Sequence, residues 1–347
     1  MLGCIEKANG SLFSMLCLSE KYPVTLIKLE GAEGKIWNKK VTDVYFYDIR
    51  IDISQIKWLE IRAVFRNDFL FRPKIVFGKF SKFYNRAIKA DYYAQGAYML
   101  TTDLHRIYIR TCDKQVEKQQ EQQFCEELQN LEIDDAVKKE ALWYRKRYFV
   151  ARKLHRRKIW LISDRINVAG DNGEAFFRYL AKTRPADVDF YFVISSESKD
   201  YVRIKKIGKV IPYGSKKCKL YTLLADKIIS SLGEDNIVNP FYELKPYVGN
   251  LFRYDYVFLQ HGIIKDDISA WLNKSNKNIR IFVTSAKPEY QSVLDFPYMY
   301  GKDVVKLTGL PRYDGLIQDV PCEKEIVFMP TWRTELAIKM DPVTGVR

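Results

Sequence analysis

The chain of 347 residues is 47% hydrophobic and 29% charged, proportions that are typical of a globular protein and that exclude disorder over most of its length. Its 57 Lys and Arg residues exceed its 43 Asp and Glu residues by 14. That excess favours a polyanionic partner, and the three candidate classes are nucleic acid, an anionic membrane leaflet and a phosphate-rich substrate.

Two further observations limit the class of protein. No apolar run approaches the ~20 residues that span a bilayer, and Glu6 and Lys7 interrupt the first apolar patch, so we predict neither a spanning helix nor a secretory signal. The six cysteines lack metal-ligand spacing, and three histidines are too few to complete a zinc site. We therefore expect free thiols in a reducing cytosol and no bound metal.

Residues 1–112 are predicted to form a small β-rich accessory domain. Four short segments are rich in β-branched and aromatic residues, and Gly, Asn, Asp and Pro separate them. They are residues 24–29, 43–51, 75–77 and 106–110. In the second segment one set of alternate residues is Tyr45, Tyr47, Ile49 and Ile51 and the other is Phe46, Asp48 and Arg50, which indicates one buried face of an antiparallel sheet.

Residues 113–157 are predicted to be a basic helical linker, because Gln, Glu and Lys dominate and Pro and Gly are absent. One long helix or two shorter ones fit this composition. The basic residues near its end are Arg145, Lys146, Arg147, Arg152, Lys153, Arg156, Arg157 and Lys158. Interleaved with aromatic and aliphatic residues, they predict contact with an anionic membrane surface, although a solvated charged face has the same composition.

From residue 158 to residue 320 the sequence alternates between strand and helix patterns. The predicted strands are residues 159–162, 190–194, 209–211, 227–229, 256–259, 279–283 and 304–307. Repeated βα units predict an α/β fold, in which a mostly parallel sheet is covered on both faces. Residues 321–347 contain one more predicted strand, 325–329, and we expect them to begin a second domain of this kind that is truncated.

The best catalytic candidate follows the buried strand at residues 256–259. In open α/β sheets ligands bind beyond the carboxyl ends of the strands, and His261 is predicted to stand at such an end. An imidazole can take a proton from an attacking hydroxyl, Lys265 would suit a phosphate, and Gly262 would permit a sharp turn or a close backbone approach. The alternative is a histidine that only ties the strand to the next helix.

A second candidate segment follows the first strand of the α/β region. Asp171 is predicted to cap a helix, with Glu174 completing a capping box. Asp171 and Asn172 would then lie where an acceptor or a phosphate could rest at the helix amino terminus. A purely structural cap is the alternative, and this segment taken alone favours it.

Two further segments carry an arginine just after a predicted strand. After residues 304–307, Gly309 permits a turn and Pro311 begins a helical turn, which leaves Arg312 either to bind a phosphate or to pair with Asp314. After residues 325–329, Thr331 and Arg333 together suit a phosphate. No Walker loop, serine-hydrolase elbow or nucleic-acid motif accompanies them.

These segments, taken in order, resemble a known family. The helix of residues 171–180, His261, the segment Thr308-Gly-Leu-Pro-Arg-Tyr-Asp314 and the segment Pro330-Thr-Trp-Arg333 are similar to motifs of the CDP-glycerol:poly(glycerophosphate) glycerophosphotransferases of teichoic-acid and capsule synthesis. The similarity is clearest over residues 158–333. It implies two Rossmann-like domains facing across a cleft, in a glycosyltransferase-B-like architecture, with the acceptor-side domain first and the CDP-alcohol domain second.

The resemblance also implies a reaction. His261 would remove the proton from the hydroxyl of the acceptor polymer, and the oxygen would attack the β-phosphate of CDP-glycerol and release CMP. Thr331 and Arg333 would lie on the donor side of the cleft and Arg312 at its floor. The family has a second functional histidine and a Ser-rich loop in its second domain, whereas no histidine follows His261, so we expect a fragment that is inactive by itself.

The implied partners are CDP-glycerol or a related CDP-polyol, a lipid-linked polyol-phosphate acceptor and an anionic membrane surface, with no nucleic acid. The resemblance implies no cofactor, since CDP-glycerol is the donor substrate. The implied location is peripheral, on the cytoplasmic face of the cell membrane. Two alternatives stay open: a nucleotide-sugar glycosyltransferase of the same fold, and a non-catalytic basic module that binds a membrane surface.

Overall fold

A computed structural model describes residues 2–8, 12–18, 21–24, 26–36, 39–48, 57–65, 70–71, 87–103, 106–274, 276–295, 298–316, 326 and 328. For residues 2–48, 61–65, 70–71 and 238 this description is of the backbone alone. Met1–Asp314 form one compact unit and Gly315–Arg347 a second. The strands and helices that follow belong to the first unit.

The front of the chain is built from antiparallel strands. They are β1 (Leu2–Ala8), β2 (Leu12–Leu18), β3 (Lys21–Val24), β4 (Leu26–Ile36), β5 (Lys39–Asp48), β6 (Trp58–Phe65), β7 (Leu70–Phe71), β8 (Tyr92–Gln95), β9 (Tyr98–Thr102) and β10 (Arg106–Thr111). One sheet has the order β1-β5-β4, and another has β3-β2-β6-β10-β9-β8 with β7 beside β6. The β-rich prediction is confirmed for the described strands, whereas the predicted segment 75–77 lies outside the described residues.

Two helices follow, α1 (Lys114–Gln129) and α2 (Asp135–Leu154). Each begins after an aspartate whose carboxylate accepts hydrogen bonds from first-turn amides, Asp113 for α1 and Asp134 for α2. The linker prediction of one or two helices is confirmed as two. No helix in the described part of the chain is long and apolar enough to cross a membrane.

This helical pair packs on both of its neighbours. Phe124 and Leu128 of α1 and Tyr144 of α2 share one hydrophobic cluster with Tyr92 of β8 and Phe241. The rings of Tyr144 and Phe241 lie 5.3 Å apart in an edge-to-face arrangement. The helices predicted as a linker are therefore docked against the elements on either side.

One predicted membrane-contact residue is buried inside this packing. The side chain of Arg145 is fully buried and donates to both carboxylate oxygens of Glu121, to the carbonyl of Tyr247 at 2.7 Å and to Asn250 Oδ1 at 2.9 Å. Its guanidinium also stacks on Phe124, 3.6 Å from the ring centre. Arg145 therefore does not reach a membrane, because the structure encloses its charge and pairs it with a carboxylate.

The second half of the unit is a seven-stranded parallel sheet. Its strands are β11 (Lys158–Ser163), β12 (Val188–Ile194), β13 (Val210–Pro212), β14 (Lys227–Ser230), β15 (Asp255–Phe258), β16 (Ile279–Thr284) and β17 (Val305–Leu307). Their order is β13-β12-β11-β14-β15-β16-β17, and every pair is parallel. All seven predicted strands and the α/β class are confirmed.

Helices cover both faces of this sheet. They are α3 (Asn172–Thr183), α4 (Tyr201–Lys205), α5 (Lys216–Leu224), α6 (Asp235–Val238), α7 (Lys245–Val248), α8 (Ser269–Leu272) and α9 (Lys287–Leu294), with 3₁₀ turns at Tyr242–Leu244, Gly249–Leu251 and Pro311–Gly315. Along β12, Tyr191 and Val193 belong to one core cluster and Phe192 and Ile194 to another. Alternate side chains are thus buried on opposite faces, as in other two-sided parallel sheets.

The order of the strands determines where a ligand can bind. The sheet grows outward in both directions from β11 and β14, as in Rossmann-like folds. At the carboxyl ends of these two strands the connections diverge, and that opening is the usual ligand position in such sheets. We call the side of the sheet where the strands end the carboxyl edge.

Candidate active site at the carboxyl edge of the sheet

His261 lies where the chain leaves the sheet after β15. Leu259 and Gln260 are buried, and His261 is the first exposed residue. Gln260 makes the turn with a left-handed φ of 63°, which costs a residue with a side chain about 1–2 kcal/mol. The role predicted for Gly262 is wrong, because its φ is not left-handed and a Cβ there would meet nothing within 4 Å.

Buried groups hold the segment that follows His261. The carboxylate of Glu289, which is 2% exposed, accepts a hydrogen bond from the amide of Ile264 at 2.9 Å. The hydroxyl of Tyr298 accepts another from the amide of Ile268 at 3.0 Å. The backbone that follows the exposed imidazole is thus anchored by buried groups.

The amino terminus of α3 is already occupied by a carboxylate of the same chain. Asp164 is 1% exposed and accepts hydrogen bonds from the amides of Gly173 at 2.7 Å, Asp171 at 3.0 Å and Glu174 at 3.1 Å, and from the hydroxyl of Ser231. Burial raises the pKa of Asp164, although these hydrogen bonds oppose the shift. A substrate phosphate cannot take these amides, which corrects the predicted anion site at the start of this helix.

The predicted capping box is replaced by an ion-pair cluster. Asp171 does cap α3, and its carboxylate accepts from the amide of Asn172 at 2.8 Å. Glu174, however, faces Arg178 at 2.7 Å and Arg203 at 2.8 Å. Burial raises the pKa of Glu174, but hydrogen bonds and charge from the two guanidinium groups outweigh it and leave the pKa below its ordinary value. Glu174 therefore joins α3 to α4.

Arg312 lies in the 3₁₀ turn Pro311–Gly315, which follows Gly309 with its φ of 81°. The predicted turn and helical start are confirmed. The guanidinium pairs with Asp171 at 2.6 Å rather than with Asp314. Its side chain remains 37% exposed, so part of its hydrogen-bonding capacity faces outward.

Asn172 forms hydrogen bonds with two segments that follow strands of the sheet, one after β15 and one after β17. Its Nδ2 donates to the carbonyl of Gln260 at 2.6 Å, and its Oδ1 accepts from the amide of Arg312 at 3.0 Å. The residue is fully buried, so it does not offer its side chain to a substrate as predicted. Through it, however, the structure brings together the turn before His261, the segment carrying Arg312 and the cap residue Asp171.

The remaining predicted site residues are Lys265, Thr331 and Arg333, and the structure describes only the first. Lys265 is exposed, and its ammonium forms no ion pair with any residue that the structure describes. Thr331 and Arg333 lie outside the described residues, so their roles stay predictions. Among the described residues no group of His, Cys, Asp and Glu could hold a metal ion. The expected absence of a metal and of a cofactor stays a prediction as well.

Three residues that shape this site were missed by the sequence analysis. Asp164 had a signal, because it directly follows a predicted strand at the edge where ligands bind. Glu289 had a weaker signal, since an acid just after Pro288 marks the first turn of a helix. Gln260 had none: glutamine is not a residue type that predicts a left-handed turn.

Comparison with known proteins was made with the whole chain. A sequence profile of the family described as CDP-Glycerol:Poly(glycerophosphate) glycerophosphotransferase matches residues 144–342. The minor teichoic acid biosynthesis protein GgaB of Bacillus subtilis (strain 168) is 46% identical over 212 residues. That match covers 61% of this chain but 23% of GgaB, so the chain spans about a quarter of the length of this curated relative.

Solved structures of the wall teichoic acid polymerase TagF are also similar. A histidine variant of TagF has a TM-score of 0.36 and 9% identity, covering 53% of this chain and 49% of that one. A variant soaked with CDPG has a TM-score of 0.37 and 11% identity, covering 58% of each chain. At such scores the fold of this chain is established by its own strand order. Because the family profile spans more than half of its residues, the chain belongs to the CDP-glycerol:poly(glycerophosphate) glycerophosphotransferase family.

Proposed function

We propose that this protein takes part in the transfer of a polyol phosphate, with glycerol phosphate as the first candidate, from a CDP-alcohol to a hydroxyl of a teichoic-acid or capsule-type polymer. Membership of the family supports this class of reaction. The observation that carries the proposal is the exposed His261 at the carboxyl edge. The residue before it, Gln260, accepts a hydrogen bond from Asn172, and Asn172 in turn accepts one from the backbone amide of Arg312.

In the proposed reaction His261 acts as the general base. A neutral imidazole nitrogen accepts the proton of the acceptor hydroxyl while the hydroxyl oxygen attacks the β-phosphorus of the CDP-alcohol. The new phosphorus–oxygen bond forms as the bond to the CMP oxygen breaks, so the proton passes to His261 and CMP leaves with its electron pair. The polyol phosphate is joined to the polymer through a phosphodiester.

Arg312 and Lys265 are proposed to balance the charge of the phosphoryl group. Asp171 binds Nη1 of Arg312 and fixes one side of the guanidinium, which leaves other N–H groups for phosphate oxygens. Lys265 would supply a second cation from the exposed segment after His261. Thr331 and Arg333 are proposed to act on the donor side.

The test is CMP release from CDP-glycerol by the full-length gene product, with a polyol-phosphate primer as acceptor. Replacing His261 with Ala should lower kcat by about 10²–10⁴-fold, the usual contribution of a general base. His155, at the end of α2, is the matched control, and His155→Ala should keep kcat. Equal activity of both variants would contradict the role of His261. CDP-ribitol and UDP-sugars in the same assay identify the donor, and turnover of UDP-sugars alone would favour a glycosyltransferase.

We also propose that the protein is peripheral on the cytoplasmic face of the membrane, and that the exposed face of α2 makes the contact. Trp143, Arg147, Val150 and Leu154 recur at helical spacing, and Val150 and Leu154 are 48% and 77% exposed. Lys146 flanks this stripe and is exposed. Such a combination of apolar and basic side chains suits the boundary of an anionic bilayer.

The other predicted contact residues contribute unequally to this face. Lys153 and Arg156 are exposed, whereas Arg152 is held by Glu117. Near the sheet, Arg157 donates to the carbonyl of Val188 at 2.8 Å, and Lys158 pairs with Asp187 at 3.1 Å. The proposed membrane contact therefore involves fewer residues than the eight predicted basic ones, and it excludes Arg145.

The vesicle test reverses two charges on this face. The double variant Lys146→Glu and Lys153→Glu should bind vesicles containing anionic lipid at least about 30-fold more weakly, since each lysine near the surface contributes about 1 kcal/mol and each glutamate adds repulsion. The double variant Lys182→Glu and Lys306→Glu changes two exposed lysines elsewhere and is the matched control. Equal loss in both variants would indicate general attraction by net charge, and it would remove α2 as the contact.

A further inference from the structure

The side chain of Asn172 forms hydrogen bonds with two segments that carry charged groups of the site. It donates to the carbonyl of Gln260, the residue before His261, and it accepts from the backbone amide of Arg312. These residues follow different strands and are separated from Asn172 by 88 and 140 positions in the sequence. One buried amide thus couples the backbone of the histidine turn to the backbone of the arginine turn.

Gln260 is in an unusual state for a buried glutamine. Its φ is 63°, its side chain is 1% exposed, and its Oε1 accepts from the amide of His261 at 2.9 Å. Its Nε2 is buried and has no hydrogen-bond partner among the described residues. A left-handed residue with an unpaired buried donor persists only where its surroundings enforce it, and such strain is concentrated at functional sites.

We infer that Asn172 and Gln260 are positioning residues, which set the direction in which His261 leaves the sheet and its separation from Arg312; this rests on the proposed function of His261 as general base. Asn172 holds the Gln260 carbonyl in place. Gln260 then turns the chain through its left-handed φ and fixes the next amide with its own side chain. Neither residue touches the substrate, since both are buried.

The effect of such positioning on rate follows from geometry. A general base acts only within hydrogen-bond reach of the proton that it takes, about 2.6–3.2 Å. A displacement of about 1 Å in the site can lower the rate by about 10²-fold. If Gln260 relaxed to a negative φ, the backbone of His261 would leave the sheet in another direction, while exposed groups that bind the donor would stay in place.

The first experiment replaces Asn172 with Asp in the full-length protein. The shape is kept, but the Nδ2 donor becomes an oxygen that repels the Gln260 carbonyl. We expect kcat to fall about 10²-fold, while KM for the CDP-alcohol changes by less than about threefold because uniform binding is unaffected. Asn172→Ala should show the same fall in kcat without an added charge, and the loss should persist across the pH–rate profile. Recovery of kcat at higher pH would mean that the new carboxylate acts on the titration of His261 and would overturn the inference.

The chain offers a matched control in Asn250. This buried residue also donates Nδ2 to a carbonyl, that of Tyr92 at 3.0 Å, and also accepts at Oδ1, from Arg145 at 2.9 Å. Asn250→Asp makes the same chemical change at the helical pair. Assayed where both variants are folded, it should keep kcat, and an equal fall in kcat would show that Asn172 acts only through general stability.

The second experiment exploits the left-handed φ of Gln260. Gly adopts this conformation without strain, whereas Ala favours a negative φ. Gln260→Gly should therefore keep more of the wild-type kcat than Gln260→Ala, by about tenfold or more if the φ sets the direction of His261. Equal kcat in the two variants would overturn the role of the turn.

A readout without turnover separates this inference from the proposed function. The rate at which diethyl pyrocarbonate modifies His261, assigned by its loss in His261→Ala, reports the surroundings of the ring. We expect this rate to change in Asn172→Asp and Gln260→Ala but not in Asn250→Asp. If the wild type transfers nothing but these rates differ as expected, the proposed reaction fails and the positioning stands. If the rates are equal in all variants, the positioning fails whatever the activity.

Discussion

The unit contains two buried polar networks that differ in how they compensate charge. In the helical pair, Glu121 is paired with the guanidinium of Arg145, and Asn250 binds that guanidinium in turn. At the carboxyl edge, the carboxylate of Asp164 receives three amides and the hydroxyl of Ser231. One network neutralises an acid with a cation, and the other stabilises it with backbone dipoles and a hydroxyl.

This difference indicates why one network is a candidate site and the other is a structural joint. In the helical pair the guanidinium of Arg145 binds groups of the same chain and is fully buried, so this network offers no charged group to a ligand. At the carboxyl edge Asp164 needs no cation, and Arg312 and His261 both remain exposed, Arg312 at 37%, in segments that Asn172 joins. A buried polar network is therefore not by itself a sign of function, and its exposed charged neighbours decide its role.

The largest effect on stability is expected from breaking the network of the helical pair. Arg145→Met should lower the free energy of unfolding by about 3–5 kcal/mol, because it leaves the carboxylate of Glu121, whose side chain is 14% exposed, without its cation. Urea denaturation measures this, with the adjacent exposed residue as control: Lys146→Met should change it by less than about 0.5 kcal/mol. Replacing Glu121 with Leu in the Arg145→Met background should recover much of the loss. A loss below about 1 kcal/mol in Arg145→Met would show that water reaches the pair.

The network at the carboxyl edge should be most sensitive to substitution at Gly173, where there is no room for a side chain. A Cβ on Gly173 would lie 2.5 Å from both the Ser163 carbonyl and the Asp164 carboxylate, so Gly173→Ala must displace the start of α3. We expect a loss of about 1–3 kcal/mol in the free energy of unfolding, as for other overpacked sites. Gly315→Ala is the control, since a Cβ there meets nothing within 4 Å. Equal stability of both variants would contradict the tight contact between Asp164 and this helix.

A smaller effect is expected from Glu174, and it depends on pH. Its pKa is lowered in the folded protein, so the unfolded chain binds the proton more readily and the stabilisation is present above about pH 4.3, the ordinary glutamate value. It is lost as the pH falls through the lowered pKa. Glu174→Gln should therefore be about 1 kcal/mol less stable than the wild type at pH 7, with the difference vanishing in acid. Urea denaturation at several pH values measures this, and a constant difference would exclude the ionised carboxylate as its source.

The strands of this fold were predictable because burial leaves a local pattern. Short apolar runs bounded by Gly, Pro and polar residues identify buried parallel strands, and each of the seven runs predicted in residues 158–320 became a strand of the sheet. The run predicted at 325–329 lies mostly outside the described residues, and described residues 326 and 328 are not in a strand. The position of His261 at a strand end followed from such a run. Partners distant in sequence leave no such pattern, and the 141 positions between Asp171 and Arg312 explain why the partner of Arg312 was not foreseen.

In the run of basic residues at the end of α2, helical spacing indicates which residue is buried, whereas composition alone does not. Ala141, Tyr144, Arg145 and Tyr148 recur at helical spacing and are the residues that α2 buries. Arg145 therefore belongs to the apolar stripe of its helix, and a count of basic residues alone placed it on the surface. The same spacing puts Lys146 on the exposed side, where the structure finds it.

The smallest effect is expected at Gly262, where the sequence had placed the turn. Its φ is not left-handed and a Cβ there meets open space, so Gly262→Ala should leave the free energy of unfolding unchanged or raise it by about 0.5 kcal/mol through a less flexible unfolded chain. Thermal unfolding of the variant beside Gly309→Ala, whose φ of 81° is left-handed, measures the difference. Gly309→Ala should be destabilised by about 1 kcal/mol or more. If Gly262→Ala were destabilised equally, the turn before His261 would depend on glycine, and the strain assigned to Gln260 would have no role.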